Sequence, residues 1–233
     1  MCRFEYLSSL GTEISFLQEA PPVPYPIHAI DLDASALDEL PSGFRHLIHG
    51  AKLSRNVIEV IQRANIVNDA TFGKSKTTPN YNTYKLEITA KYFDYIEACP
   101  ELGSPDDPWS EAPLGKLLCL ALLVYCCNDL CPVSALSASK TSARRGLTAE
   151  LLKCTSTHDE KCEEECLLWV WIVALNAWRN NLGVWTGVGS ELSILFKARF
   201  RLILGGGYEG CSYIVESFLW NPSLDITLLA ALA

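Results

Sequence analysis

A long apolar run that follows a cluster of acids constrains the fold more than any other feature. Residues 159 to 182 read DEKCEEECLLWVWIVALNAWRNNL and contain three tryptophans, Trp169, Trp171 and Trp178. Every residue from Leu167 to Leu175 is apolar, and a helix that is apolar on all sides has to be buried. The pattern predicts a helix over 159–182 at the centre of an all-α domain.

The residues before this run contain a helix start signal. Thr157 is followed three positions later by Glu160, which matches a capping box. The acids at positions 163 to 165 then lie near the positive end of the helix dipole. Both features support a helix that begins close to residue 159.

Apolar residues recur at helical spacing elsewhere in the chain. They predict helices at 54–68, at 84–99 and at 117–130, a further helix through 192–203 that ends at the glycines 205–207, and another that begins within 213–220. The segment SALSASKTSARRG, residues 134 to 146, is predicted to be a polar connection before a short amphipathic turn through Leu147, Leu151 and Leu152. We expect seven or eight helices and no strands in a single irregular domain.

The first part of the chain differs in composition from the rest. APPVPYPIHAI, residues 20 to 30, has four prolines in its first seven positions, which excludes a helix or a central strand there. We therefore predict a loosely packed lead-in over residues 1–36 and a helical domain over residues 37–233.

Charge and cysteine content limit the possible function classes. A net charge of −8 argues against a nucleic-acid binder. Most of the ten cysteines lie in apolar helical runs, where a thiol behaves as a small hydrophobe. The start MCRFEYLSSLGTEISF lacks the apolar core of a signal peptide. The longest apolar run, Leu117–Cys127, is shorter than the roughly 20 residues that span a bilayer. We expect an intracellular protein that is not secreted.

Few residues suggest a metal or catalytic site. His46 and His49 form an H-x-x-H pair that could supply two metal ligands, although two surface histidines fit the same pattern. His158, Cys162 and Cys166 are spaced four residues apart and could line one helical face. A closed structural zinc site needs four ligands, so we predict no metal site. We also predict no cofactor and no catalytic residues.

Other candidate sites have ordinary structural interpretations. Cys126, Cys127 and Cys131 lack the paired C-x-x-C spacing of zinc modules. The three glycines at 205–207 follow a predicted helix rather than a strand, and no Lys-Ser/Thr follows them, so they indicate a helix terminator and not a phosphate loop. The tryptophans could stack on a ligand, but core packing is their usual role.

Three segments together resemble a known family. Residues 40–47, LPSGFRHL, followed by Leu53-Ser54, are similar to its L-P-x-G-F-x-x-L … L-S opening segment. Residues 164–169, EECLLW, resemble the acid-then-Leu-Trp signature of its central helix, and residues 215–220, VESFLW, resemble its final FLW helix. These segments are found in the fungal-specific transcription factor domain, the helical regulatory region of binuclear zinc-cluster transcription factors.

The resemblance extends over residues 37 to 222 and implies a helical regulatory module in the nucleus or cytoplasm. The zinc cluster of that family needs six cysteines with two C-x-x-C pairs, which this chain lacks. We therefore expect a non-enzymatic regulator of transcription that does not bind DNA directly. Its expected protein partners are transcription factors or a second copy of the chain itself. Lys140, Arg144 and Arg145 could assist nuclear import. The alternative is a small-molecule-binding protein or enzyme with an aromatic pocket between the tryptophan helix and the Tyr84–Tyr95 stripe.

Overall fold

The structure, a computed structural model, consists of α-helices and connecting turns in its described part. It describes residues 37–49, 113–130, 137–153, 161–179 and 183–233, and positions 53, 58, 61, 62, 64, 65, 68, 69 and 72. Eight α-helices have defined bounds: α1 Ser42–His49, α2 Pro113–Tyr125, α3 Ser137–Lys153, α4 Lys161–Trp178, α5 Val188–Arg199, α6 Arg201–Leu204, α7 Gly207–Val215 and α8 Pro222–Leu232. No described residue is in a strand, so the predicted all-α class is confirmed.

Helix α4 is the centre of the fold, as the apolar run predicts. All residues from Cys166 to Leu175 are buried, and α4 packs against α1, α2, α3, α5, α7 and α8. Its first turn carries Glu163 and Glu164, where negative charge stabilises the positive helix end. The capping box at residues 157–160 lies outside the described residues.

Helix α2 continues into a π-helical turn, Cys126–Leu130. The sequence predicts one helix over 117–130, and the observed helical segment covers that range but begins four residues earlier, at Pro113. Proline is favoured in the first turn because its missing N–H has no helical partner there. The π turn adds a residue to the helical repeat, which changes the direction of the side chains that follow.

The predicted polar connection at 134–146 is wrong, because most of it belongs to the 17-residue helix α3. Ala143, Leu147 and Leu151 are spaced by four residues and are buried on one face of this helix. α3 packs on α2 and α4. Three apolar residues among many polar ones are therefore enough to fix a helix on a core that is already apolar.

The C-terminal helices differ from the prediction in their bounds. Residues 205–206 separate α6 from α7, as predicted, and Gly207 has a φ of 72° at the start of α7, which favours glycine. The helix predicted to begin within 213–220 is wrong, since α7 starts at Gly207 and ends at Val215. A turn follows, and α8 starts after Asn221, whose side-chain oxygen accepts hydrogen bonds from the N–H groups of Ser223 and Leu224.

Two predicted helices lie mainly outside the described residues. The helix at 84–99 is entirely outside them, and so is the Tyr84–Tyr95 stripe. Within the predicted 54–68 helix, the described positions 58, 61, 62, 64, 65 and 68 are helical. Ile58, Ile61 and Ala64 are buried there, as their spacing predicts.

Candidate functional site

The three segments that carry the family resemblance meet in one aromatic cluster. Trp169 on α4 lies 5.7 Å from Phe44 on α1 and 6.1 Å from Phe218 in the turn after α7, measured between ring centroids. Phe44 and Phe218 are 5.0 Å apart in an edge-to-face arrangement. Tyr125 of α2 completes the group at 6.1 Å from Trp169. We call Phe44, Tyr125, Trp169 and Phe218 the Trp169 cluster.

Backbone groups join the same segments. The indole N–H of Trp169 donates a 2.7 Å hydrogen bond to the carbonyl of Leu219, and the N–H of Gly43 donates a 2.7 Å bond to the carbonyl of Ser217. A Cβ atom at Gly43 would lie 2.6 Å from the ring of Phe218. The glycine of the L-P-x-G-F pattern is therefore required by the close approach of α1 to the turn at 216–219.

A buried polar network lies beside this cluster. The hydroxyl of Tyr125 donates to the side-chain oxygen of Asn68, and the amide of Asn68 donates to the carbonyl of Trp220 at 3.2 Å. Burial raises the pKa of Tyr125 well above its ordinary value. Tyr125 is thus held neutral and links α2 to the turn before α8.

A second network surrounds Asn176, the polar residue that ends the buried stretch of α4. Its amide group donates to the carboxylate of Asp129 in the π turn at 3.2 Å, and its oxygen accepts from Ser223 and Thr227 of α8 at 3.0 and 2.9 Å. A serine nucleophile needs a neighbouring base, but Ser223 donates to a neutral amide oxygen. This network connects three helices and contains no catalytic pair.

The structure describes some of the candidate metal ligands from the sequence and not others. His46 and His49 are exposed on α1. Cys166 is fully buried, and burial raises its pKa, which suppresses the thiolate that binds metals. Cys162 lies one turn away and is half-buried, while His158 and Cys131 are outside the described residues. Among the described side chains, no group of three or more His, Cys, Asp or Glu could hold a metal ion.

One of the three basic residues that could assist nuclear import, Arg144, has a structural role. The guanidinium of Arg144 lies 4.0 Å from the centre of the Trp178 ring and donates to the carbonyl of Ala177 at 3.2 Å. The indole N–H of Trp178 donates to Thr148, one turn further along α3. Arg145 is exposed, and the side chain of Lys140 lies outside the described part.

A large exposed apolar surface was not predicted from the sequence. Most of the exposed large apolar side chains lie between Val184 and Leu229. The predicted stripe at 192–203 is correct for Leu192, Phe196 and Phe200, which are buried, but wrong for Leu195, which is 44% exposed. A helix with apolar residues on both sides gives a weak amphipathic signal, which explains why the pattern did not separate the two faces.

Comparisons of the chain with models of protein families, with curated proteins and with solved structures gave no match. Helices in the described part of the chain are too short or too polar to cross a membrane. The contacts described above are therefore the basis for a functional proposal.

Proposed function

We propose that this chain is a helical regulator of transcription that lacks its own DNA-binding domain and acts through protein contacts in the nucleus. The observation that carries the proposal is the Trp169 cluster, in which Phe44, Trp169 and Phe218 come together from the three segments that resemble the fungal-specific transcription factor domain. The residues that define a family pattern often pack against one another in the fold. If the resemblance is correct, Phe44, Trp169 and Phe218 should therefore be in contact, as they are.

The charges of the described residues favour a protein partner over DNA. Several basic side chains are already engaged within the chain: Arg199 with Glu164, Lys161 with Glu165, Lys153 with Glu150 and Arg144 with Trp178. DNA affinity depends on several basic side chains that neutralise phosphates together. With a net charge of −8, the chain is better suited to a partner that supplies the DNA contacts.

The alternative, a small-molecule-binding protein or enzyme, is not favoured by the tryptophans. Trp169 contacts three aromatic side chains of the core, and Trp171 contacts Phe196 and Phe200. Trp178 is covered by Arg144. The indole rings that were candidates for ligand stacking are therefore occupied by residues of this chain.

A reporter experiment tests the proposal directly. The full chain is fused to a heterologous DNA-binding domain, and a reporter gene with the matching site is measured in a eukaryotic cell. We expect reporter output to change relative to the DNA-binding domain alone, and we expect Trp169→Ala, which destabilises the fold by removing the centre of the Trp169 cluster, to reduce the change. The localisation of a tagged full chain in its native host provides the second readout.

Two results together would contradict the proposal. One is a reporter signal equal to that of the DNA-binding domain alone, with the fusion expressed and folded. The other is a tagged chain that remains outside the nucleus and co-purifies with no transcription factor. A chain that shifts duplex DNA at physiological salt would instead contradict the prediction that a partner supplies the DNA contacts.

A further inference from the structure

The outward side of α5 and α6 forms a continuous apolar face with a basic edge. Hydrogen bonds from Phe200 N–H to the Phe196 carbonyl and from Leu204 N–H to the Phe200 carbonyl continue the helix from α5 into α6. At about 100° per residue, Ile194, Ala198 and Leu202 lie on the side opposite Phe196 and Phe200. The outer face comprises the following exposed residues: Glu191, Ile194, Leu195, Lys197, Ala198, Arg201 and Leu202.

The exposure of this face is unusual for a folded helix. Ile194 is 68% exposed and Leu202 is 94% exposed, while Leu192 and Phe196 on the inward side are fully buried. Scattered exposed apolar residues are normal, but a contiguous apolar patch indicates an interaction surface. The inward side already fixes α5 on the core, and within the described part of the chain Ile194 and Leu202 on the outer face stay exposed.

The charge of the face selects the kind of partner. Residues 188–204 contain three basic residues and one acid, Glu191, in a chain whose net charge is −8. Arg199 is directed to Glu164 at 3.6 Å, but Lys197 and Arg201 are exposed and form no ion pair with any residue in the described part. Glu191 is also exposed and lies at the N-terminal end of the same face. The edge formed by Lys197 and Arg201, beside the apolar side chains, complements a partner with apolar anchors and carboxylates on the matching edge.

We propose that the outer face of α5 and α6 binds an acidic amphipathic helix of another protein. Such a helix would place apolar side chains at i, i+3 or i+4 and i+7 against Ile194, Leu195 and Leu202. Its carboxylates would face Lys197 and Arg201, which adds specificity and a faster association rate. This inference rests on the proposed function and assigns the surface through which the protein contacts are made.

An anionic membrane is a weaker fit to the same face. Peripheral amphipathic helices insert one apolar side into lipid and carry many cations on the other. Here the second side is packed in the core through Leu192, Phe196 and Phe200, and only two cations point outward. The net charge of −8 would also oppose the approach of the whole chain to an anionic surface.

A peptide selection on the purified full chain tests the proposal. The probe is a displayed library of helical peptides of about 18 residues, or roughly five turns, with identical apolar positions and either acidic or basic polar positions. We expect enrichment of acidic over basic peptides. Binding of the selected peptides should weaken at least about tenfold in Leu202→Glu and in Ile194→Glu, as for central contacts of an interface, and with increasing salt.

The matched control is Leu152→Glu, since Leu152 is a half-exposed leucine on α3, a different helix. It should retain wild-type peptide binding, and circular dichroism should show all variants folded. The double change Lys197→Glu, Arg201→Glu should reverse the preference toward basic peptides.

Two outcomes of the peptide selection would overturn the inference: no enrichment of acidic peptides, or binding of the selected peptides by Leu202→Glu as tightly as by the wild type. Two other results would also overturn it: binding of the chain to phosphatidylserine vesicles through the outer face, or a concentration-dependent dimer that Leu202→Glu dissociates. The last two would assign the face to a membrane or to a second copy. Because the selection uses purified protein, it can fail while the reporter experiment succeeds, which would place the protein contacts on another surface.

Discussion

Trp169 and Trp171 are two residues apart on α4, yet they belong to different regions of the molecule. Trp169 packs against aromatic residues from α1, α2 and the turn after α7, which are far apart in sequence, and its N–H group is bonded to the Leu219 carbonyl. Trp171 packs against Phe196 and Phe200, which lie one turn apart. Both rings are almost fully buried, but Trp169 contacts segments that are distant in the sequence, whereas Trp171 contacts a single neighbouring segment.

The difference shows which cluster establishes the long-range arrangement of the chain. The Trp169 cluster joins segments that no local interaction brings together. The Trp171 cluster, formed by Trp171, Phe196 and Phe200, attaches one neighbouring helix, α5, to α4. A change at Trp169 should affect the whole fold, and a change at Trp171 should mainly affect the attachment of α5.

Replacement of each tryptophan by alanine should have the largest effect and should separate the two clusters. Trp171→Ala should lower the free energy of unfolding by about 3 to 5 kcal/mol, the range for a large aromatic side chain. Trp169→Ala should cost more, because the Leu219 carbonyl also loses its partner, a further loss of about 1 kcal/mol or more. Urea unfolding followed by circular dichroism measures both. Equal values would contradict the distinction between the clusters.

A methyl group at Gly43 should disrupt the Trp169 cluster from outside α4. Its Cβ would overlap the ring of Phe218 at 2.6 Å and the Ser217 hydroxyl at 2.7 Å. We expect Gly43→Ala to destabilise the protein by about 3 kcal/mol, the upper part of the range for overpacking.

The control for this change is Gly146→Ala in α3, where the added Cβ would meet Leu120 at an ordinary 3.8 Å. This variant should gain roughly 0.5 to 1 kcal/mol from the better helix propensity of alanine. Thermal unfolding compares the two variants, and a tolerated Gly43→Ala would show that α1 does not need its close approach to the turn at 216–219.

Substitution by phenylalanine should isolate the hydrogen bond of Trp169. Trp169→Phe and Trp171→Phe both keep an aromatic ring. Only Trp169→Phe leaves the buried Leu219 carbonyl without the indole donor. We expect Trp169→Phe to cost about 1 to 2 kcal/mol more than Trp171→Phe, as for an unsatisfied buried acceptor. The difference in urea midpoints at constant slope measures it, and a larger loss for Trp171→Phe would contradict it.

The all-α class and the burial of α4 could be predicted because the run from Leu167 to Leu175 has no polar residue that could face water. The contacts of each tryptophan could not be predicted, since a periodic pattern gives the direction of a side chain but not its partner. Phe44, Trp169 and Phe218 are in contact, although they lie in three distant segments and no pattern in the sequence predicted that contact.

Helix α3 could not be predicted because its buried apolar residues among those described, Ala143, Leu147 and Leu151, are surrounded by polar ones. Its stability depends on the apolar surfaces of α2 and α4, which are distant in sequence. The outer face of α5 and α6 could not be predicted because this helix has many apolar residues, whereas α3 has few. Apolar residues on both sides of one helix hide the boundary between the core and a binding surface.

The smallest effect is expected at Trp178, the third tryptophan of α4, which lies outside both clusters. Arg144 covers its ring at 4.0 Å and donates to the Ala177 carbonyl near the end of α4. Arg144→Gln should lose the cation–π contact, about 0.5 to 1 kcal/mol, and weaken the stabilising charge at this helix end. Arg145→Gln removes the same charge from an exposed neighbour and should change the unfolding temperature very little. If both variants unfold at the same temperature, the contact of Arg144 with Trp178 and Ala177 does not stabilise the attachment of α3 to α4.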